Sequence, residues 1–186
     1  MTPISKEFRT WIEDDEKLKY LLEDGSGGCV SVYPWNKELA YAGWKAGRYP
    51  IVSLIHKKGT ILDYGCANGF LLRSLQEWSD HKLEPYGFDI DEHTIDNARK
   101  LFPNQWNHFA NPKDNWDSLG WPKEFDFVYW QVWHEYSFET SGNIRLLEKM
   151  QSLTKKSGRL ILGLYDTREK NLKKVDQLKH FGFTPS

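Results

Sequence analysis

Thr60-Ile61-Leu62-Asp63-Tyr64-Gly65-Cys66-Ala67-Asn68-Gly69-Phe70-Leu71-Leu72 is the stretch that decides the fold. A short apolar run ends in an acid, a turn with two glycines follows, and apolar residues then recur at helical spacing through Leu71, Leu72, Leu75 and Trp78. The pattern reads as strand, tight loop, helix. That is the local architecture with which open parallel sheets bind nucleotide-like cofactors. No Gly-Lys-Ser/Thr tripeptide occurs, which removes a P-loop, and glycines at 65 and 69 do not make the Gly-x-Gly-x-x-Gly dinucleotide fingerprint.

Gly65 lets the backbone turn with positive φ and lets a ligand come close, because no Cβ is in the way. The helix starting near Asn68 to Phe70 points unpaired N–H groups and a partial positive charge into the same space, where a carboxylate is at home. A second apolar run ending in an acid, Pro85-Tyr86-Gly87-Phe88-Asp89, follows at 89 − 65 = 24 residues. An acid about 20 residues beyond the first loop is placed to receive ribose hydroxyls. Beyond it, Asp91 suits a helix cap, and Ile95, Ala98 and Leu101 form an apolar stripe.

Asp63-x-Gly65-x-x-x-Gly69 resembles motif I of the class I S-adenosylmethionine-dependent methyltransferases, and Gly87-Phe88-Asp89-Ile90-Asp91 through Ala98-Arg99 looks like their motif II. Weaker likenesses continue through His108-Phe109-Ala110-Asn111, Phe125-Asp126-Phe127-Val128 and Gly158-Arg159-Leu160-Ile161. The resemblance runs from about Gly59 to Gly182, with Ala67-Asn68 replacing the more frequent Gly-Thr or Gly-Ser. It implies S-adenosylmethionine as cofactor, S-adenosylhomocysteine as product, and a cofactor site of Asp63, Gly65, Cys66, Ala67, Asn68, Gly69, Asp89, Ile90, Asn111 and Gln131. Asp63 would help place the methionine portion, Asp89 the ribose, and Asn111 the adenine amino group. A loop without lysine and with an acid at its mouth suits a ligand that carries a carboxylate, an ammonium and a sulfonium but no phosphate. The plainer alternatives stay open: Gly65 and Gly69 as turn glycines, Asn111 opening an Asn-Pro turn at Pro112, and Cys66 simply packed.

The expected fold class is α/β: a doubly wound, mostly parallel sheet of the Rossmann-like methyltransferase type, with N-terminal helices and a shortened C-terminus. One domain spans 1–186, with a helical cap region at 1–58 and the cofactor-binding core at 59–186. In the cap, residues 1–24 suit one charged helix, Gly25-Ser26-Gly27-Gly28 a hinge, and Asn36 to Ile55 a second helical region broken near Pro50. Strands and helices then alternate over 60–64, 70–78, 84–89, 92–102, 106–110, 125–131, 142–155, 159–165 and 168–180, which implies parallel strands with right-handed crossovers. After the fifth strand there is room for at most one short strand. An uncovered edge there would invite association, and a homodimer is one outcome.

The chain has 186 residues, 39% of them hydrophobic and 27% charged, which is a globular composition. A net charge of −1 with no basic tail argues against a large nucleic-acid footprint. The two cysteines, Cys29 and Cys66, have no zinc-like spacing, so no metal is expected. No apolar run nears transmembrane length and no signal peptide is visible, so the sequence points to the cytoplasm and away from a membrane.

Ligands in such sheets sit at the carboxyl ends of the strands. The acceptor should therefore lie between the loop after strand four, with Trp130, Trp133, His134, Tyr136 and Phe138, and the segment before strand one, with Tyr33, Trp35, Tyr41 and Trp44. A small, aromatic or apolar molecule is the expected methyl acceptor. His134 is the candidate general base, since its ordinary pKa lies near neutrality, with Glu135 as the alternative. Two other readings compete: a non-catalytic S-adenosylmethionine-binding partner subunit, and an NAD-dependent oxidoreductase, which the glycine spacing disfavours.

Overall fold

A computed structural model describes residues 4–25 and 34–185. Of the expected hinge, Ser26 to Gly28 lie outside the described residues, as do Cys29 and Tyr33.

Among the described residues the cap region holds three α-helices where two helical regions are expected. Helix α1 (Lys6–Glu13) is capped by Ser5, whose side chain accepts from the Phe8 N–H. Asp14 adopts extended backbone, φ −79° and ψ 120°, and divides the expected single helix. Its carboxylate then accepts from Lys17 N–H and starts α2 (Asp15–Gly25). An acid that competes for backbone N–H groups favours a cap over a helix interior. Asn36 caps α3 (Lys37–Arg48), and Pro50 turns the chain into a 3-10 run over Tyr49–Leu54, at the expected break.

Five strands follow: β1 (Gly59–Tyr64), β2 (Leu83–Phe88), β3 (Phe109–Ala110), β4 (Phe125–Val132) and β5 (Thr154–Leu164). Their order is β3-β2-β1-β4-β5, and every pair is parallel. Helices α4 (Phe70–Trp78), α5 (Glu92–Leu101) and α6 (Ser141–Ser152) make crossovers, a 3-10 turn (Trp116–Leu119) lies between β3 and β4, and α7 (Arg168–Lys179) follows β5. The order of the strands reverses at β1, whose neighbours are β2 and β4, so the crevice for a ligand opens there.

Alternate side chains of each strand feed two cores. Ile61, Phe127, Tyr129 and Ile161 pack with the cap helices, α4 and α5, while Leu62, Val128 and Trp130 pack with α6 and α7. The first core is aromatic: Trp44 stacks on Phe70 at 4.8 Å and tilts against Trp78 at 5.5 Å, and Phe8 stacks on Phe70 at 5.8 Å. These rings fix the cap region to α4 and to the glycine loop ahead of it.

Two strands differ from the sequence expectation. Strand β3 has only two residues, because Pro103 to His108 form 3-10 turns. Strand β5 starts earlier, through an irregularity opposite Phe125 and Phe127. Lys155, inside that irregularity, reaches Asp126 at 2.9 Å. Partial burial works against charge on Asp126, but Lys155, Lys57 and the Thr60 N–H and hydroxyl hold its carboxyl well below the usual range. Among the described residues no strand follows β5.

Candidate active site

The loop after β1 is built from local hydrogen bonds. The N–H groups of Gly65 and Cys66 both donate to the Phe88 carbonyl, at 2.7 and 3.0 Å, which seats the loop against the end of β2. Gly65 has φ +92°, and a Cβ there would meet nothing within 4 Å. Its open side faces the cavity, so glycine serves a ligand there rather than packing. Gly69 is different. With φ +75° it precedes α4, and a Cβ would press on Phe102, Phe109 and Ala98 at 3.1–3.3 Å. Gly69 is glycine because the core demands it.

Asn68 also has a structural task. Buried to 1% exposure, it donates to the Leu21 carbonyl at 3.0 Å and accepts from Phe70 N–H at 3.1 Å. Gly69 holds the cap position of α4, but Asn68, one residue ahead of it, takes up the first N–H of the helix and ties the loop to α2. Ala67 sits at φ +46°, an uncommon backbone for alanine, and its N–H donates to Asp89 Oδ2 at 2.8 Å. Asp89 Oδ1 accepts from Asp91 N–H at 3.0 Å. The carboxylate is thus oriented by two backbone donors, and each oxygen keeps acceptor capacity toward the cavity. Asp91 caps α5 through the His93 N–H.

Gly65, Ala67, Asp89, Ile90 and Gln131 line one cavity of about 540 Å³. Its other walls are Tyr64, Phe88, Trp130, Trp133, Tyr136 and Leu146, with Glu23, Asp91 and Thr94 at the rim. Ile90 is 82% exposed, an apolar surface beside Asp89. The volume falls in the range of small-molecule sites.

Asp63, Cys66, Asn68, Gly69 and Asn111 are not on that wall. Asp63 lies beneath it, 2% exposed, with Oδ1 lacking a hydrogen-bond partner among the described residues. Burial pushes its pKa up to about 8; the charge of Asp89 adds to the rise, and Arg48 opposes it. Arg48 is itself buried at 7%, its guanidinium between the rings of Trp44 and Tyr165 at 5.0 and 5.3 Å. The Cys66 thiol is pushed up first by burial and then by Asp63 and Asp89, and a Cβ on Gly87 would lie 2.6 Å from its Sγ. It is a packed thiol. Asn111 opens a turn: its Oδ1 accepts from Lys113 N–H at 2.9 Å while its own N–H donates to Asp114.

His134 is exposed, its Nε2 is 3.6 Å from Glu135 Oε1, and neither residue lines the cavity. Trp130, Trp133 and Tyr136 do line it. From the other expected wall, Trp44 and Tyr41 stack in the core at 6.4 Å, and Trp35 donates to Asp15 at 2.9 Å. Two contributors escaped the sequence. Glu23 follows Leu21 and Leu22 near the end of the expected charged helix, and Arg48 ends a cap helix, neither with a motif around it.

Residues 55–181 match the family model of the methyltransferase domain, and the chain belongs to that family. It is an S-adenosylmethionine-dependent methyltransferase with a Rossmann-like fold. Solved structures share the fold. An S-adenosylmethionine-dependent methyltransferase from Aquifex aeolicus is 19% identical, with 92% of this chain and 89% of that one covered at a TM-score of 0.51. A Pyrococcus horikoshii protein is 18% identical over 84% of this chain and 68% of its own, with a TM-score of 0.54. The ribosomal protein L11 methylase of Lactobacillus delbrueckii is 16% identical over 75% and 68%, with a TM-score of 0.51. No curated protein matches the sequence. Among the described residues no helix is long and apolar enough to cross a membrane.

The residues present fit the cofactor. Gly65 leaves a cradle that a Cβ would invade, Asp89 offers oriented acceptors that suit a ribose diol, and Asp63 Oδ1 has no donor among the described residues.

Proposed function

We propose that this protein transfers a methyl group to a small molecule with an apolar or aromatic body, held under Trp133 and Tyr136. The observation that carries the reading is a single cavity that joins the ribose acid Asp89 and the open face of Gly65 to the aromatic walls Trp130, Trp133 and Tyr136. When bound, S-adenosylmethionine supplies an electrophilic methyl. In this reading Asp89 accepts from the ribose hydroxyls, and Ile90 offers the adenine an apolar face. Asp63, buried beneath the cavity, receives the ammonium of the methionine end and gives up its proton as it does so. Gln131, at the mouth of β4, has both a donor and an acceptor to orient the acceptor. Tyr64, whose hydroxyl is pushed up by burial and by Tyr136, stays a neutral donor.

Alignment is the chief task in a direct displacement, because holding the reactants in line removes much of the entropic barrier. Aromatic walls supply that alignment, and His134, facing solvent, is left outside the step. A net charge of −1 supports a small acceptor over a nucleic acid. We place the protein in the cytoplasm on its cysteine usage, and a homodimer is the assembly suited to the free edge of β5.

The test is transfer of labelled methyl from S-adenosylmethionine to a set of small amines, phenols and carboxylates, beside calorimetric binding of S-adenosylhomocysteine. Transfer to any of them with bound product supports the reading. Absence of S-adenosylhomocysteine binding overturns it.

A further inference from the structure

We infer that the acceptor is an amine, held as a cation in an aromatic box at one end of the cavity; this rests on the methyltransferase reading above. Trp130 and Tyr136 meet edge to face, their centroids 5.5 Å apart and their planes at 87°; Trp130 is buried at 3% and Phe138 packs against it, so it fixes the half-buried Tyr136 ring in the cavity wall. Trp133 forms part of the same lining and is 57% exposed, so one large ring stands open at the entrance. Such a box attracts a cation through the negative faces of the rings.

The charge of the lining points the same way. Its ionisable acids are Glu23, Asp89 and Asp91, and no lysine, arginine or histidine lines the cavity among the described residues. The lysines that approach the lining are engaged elsewhere: Lys174 donates to the Trp133 carbonyl and pairs with Asp166, and Lys149 lies over the Tyr64 and Trp116 rings at 5.5 and 5.4 Å. A phosphate or carboxylate acceptor would therefore enter a site without a cationic partner, which is costly. Asp89 is engaged by the loop and the ribose, and Asp91 caps α5. Glu23 is the acid left for the acceptor. Its carboxylate is 3.9 Å from Lys19 on an exposed face and is not locked in place.

The reaction balances without a further reagent. The acceptor ammonium gives a proton to water; the freed nitrogen lone pair forms the N–C bond to the donor methyl while the C–S bond breaks. The C–S electron pair remains on sulfur, leaving the neutral thioether product and a methylated ammonium that Glu23 can hold.

The experiment uses the full chain loaded with S-adenosylhomocysteine, whose binding is first measured by calorimetry. Benzyltrimethylammonium and its anionic isostere phenylmethanesulfonate are then titrated, with tryptophan fluorescence as the readout. The expected result is saturable binding of the cation, at least about 10-fold tighter than the anion. Trp133→Ala should weaken the cation several-fold, and Glu23→Gln should narrow the gap between the probes. Both side chains are exposed, and circular dichroism checks that the variants fold. Equal binding, preference for the anion, no saturable cation binding, or displacement of S-adenosylhomocysteine by the cation would overturn the inference. Loss of S-adenosylhomocysteine binding itself would instead overturn the methyltransferase reading and this inference with it.

Discussion

Lys174 Nζ on α7 donates to the carbonyl oxygen of Trp133 across 2.8 Å and holds the first residue of the loop beyond β4. The same helix holds the far end of that loop, where Gln177 accepts from Phe138 N–H at 3.0 Å. Lys174 is 4% exposed, and its counter-charge Asp166 stands 3.6 Å away. The C-terminal helix therefore sets where the Trp133 ring stands without touching the cavity.

Lys174→Met keeps the aliphatic stem and loses both polar links. Turnover should fall by roughly 10- to 100-fold, since a displacement of about 1 Å at a reacting centre has effects of that size. S-adenosylhomocysteine affinity should stay nearly constant, and the protein should unfold at lower temperature. Steady-state kinetics beside calorimetry separate these outcomes; an equal loss of cofactor binding would mean that α7 supports the whole crevice.

Asp89→Ala should weaken S-adenosylmethionine and S-adenosylhomocysteine alike, by about 1.5–3 kcal/mol. Asp89→Asn keeps the size but puts a donor where a ribose hydroxyl must donate, so it should also bind poorly. Unchanged affinity in folded variants would remove the ribose assignment.

Gly65→Val and Gly69→Val should separate cradle from core. At Gly65 the new side chain enters open space at φ +92°, so cofactor binding should vanish while most of the fold survives. At Gly69 it meets Phe102, Phe109 and Ala98, and overpacking of this kind costs about 1–3 kcal/mol before backbone strain is added. Thermal melts and calorimetry on both proteins decide it.

Asp63 predicts a pH dependence. Its pKa rises from 3.8 to about 8 on folding, so the folded state holds the proton more tightly. The stability this contributes is complete below about 3.8 and is lost as pH rises through about 8. Asp63→Asn should flatten stability across that window, in which one proton supplies at most about 1.4 kcal/mol per pH unit. The cationic end of the cofactor favours the ionised carboxylate, so binding near neutrality should release a proton. Calorimetry in buffers of different ionisation enthalpy would show it, and an identical signal from Asp63→Asn would exclude Asp63 as the source.

His134→Ala should leave turnover within a few-fold of the parent, because the imidazole stands in solvent beside Glu135. A loss of about 100-fold with intact cofactor affinity would restore it as the general base.

The sequence alone determined the frame. Asp63, Gly65 and Gly69 announce a strand, a tight loop and a helix, and Asp89 with its Asp91 cap announces the next unit, because strand, turn and cap are governed by residues a few positions apart. Tertiary structure decided the rest. It turned Gly65 to the cavity and Gly69 to the core, although the two look alike in sequence. It sent Trp44 into the cap packing and Trp133 to the cavity rim. It brought Arg48 to bear on Asp63 and Lys174 onto Trp133, 41 residues away. Spacing fixes which face of its own element a side chain occupies; only the packing of elements against one another fixes what that face meets.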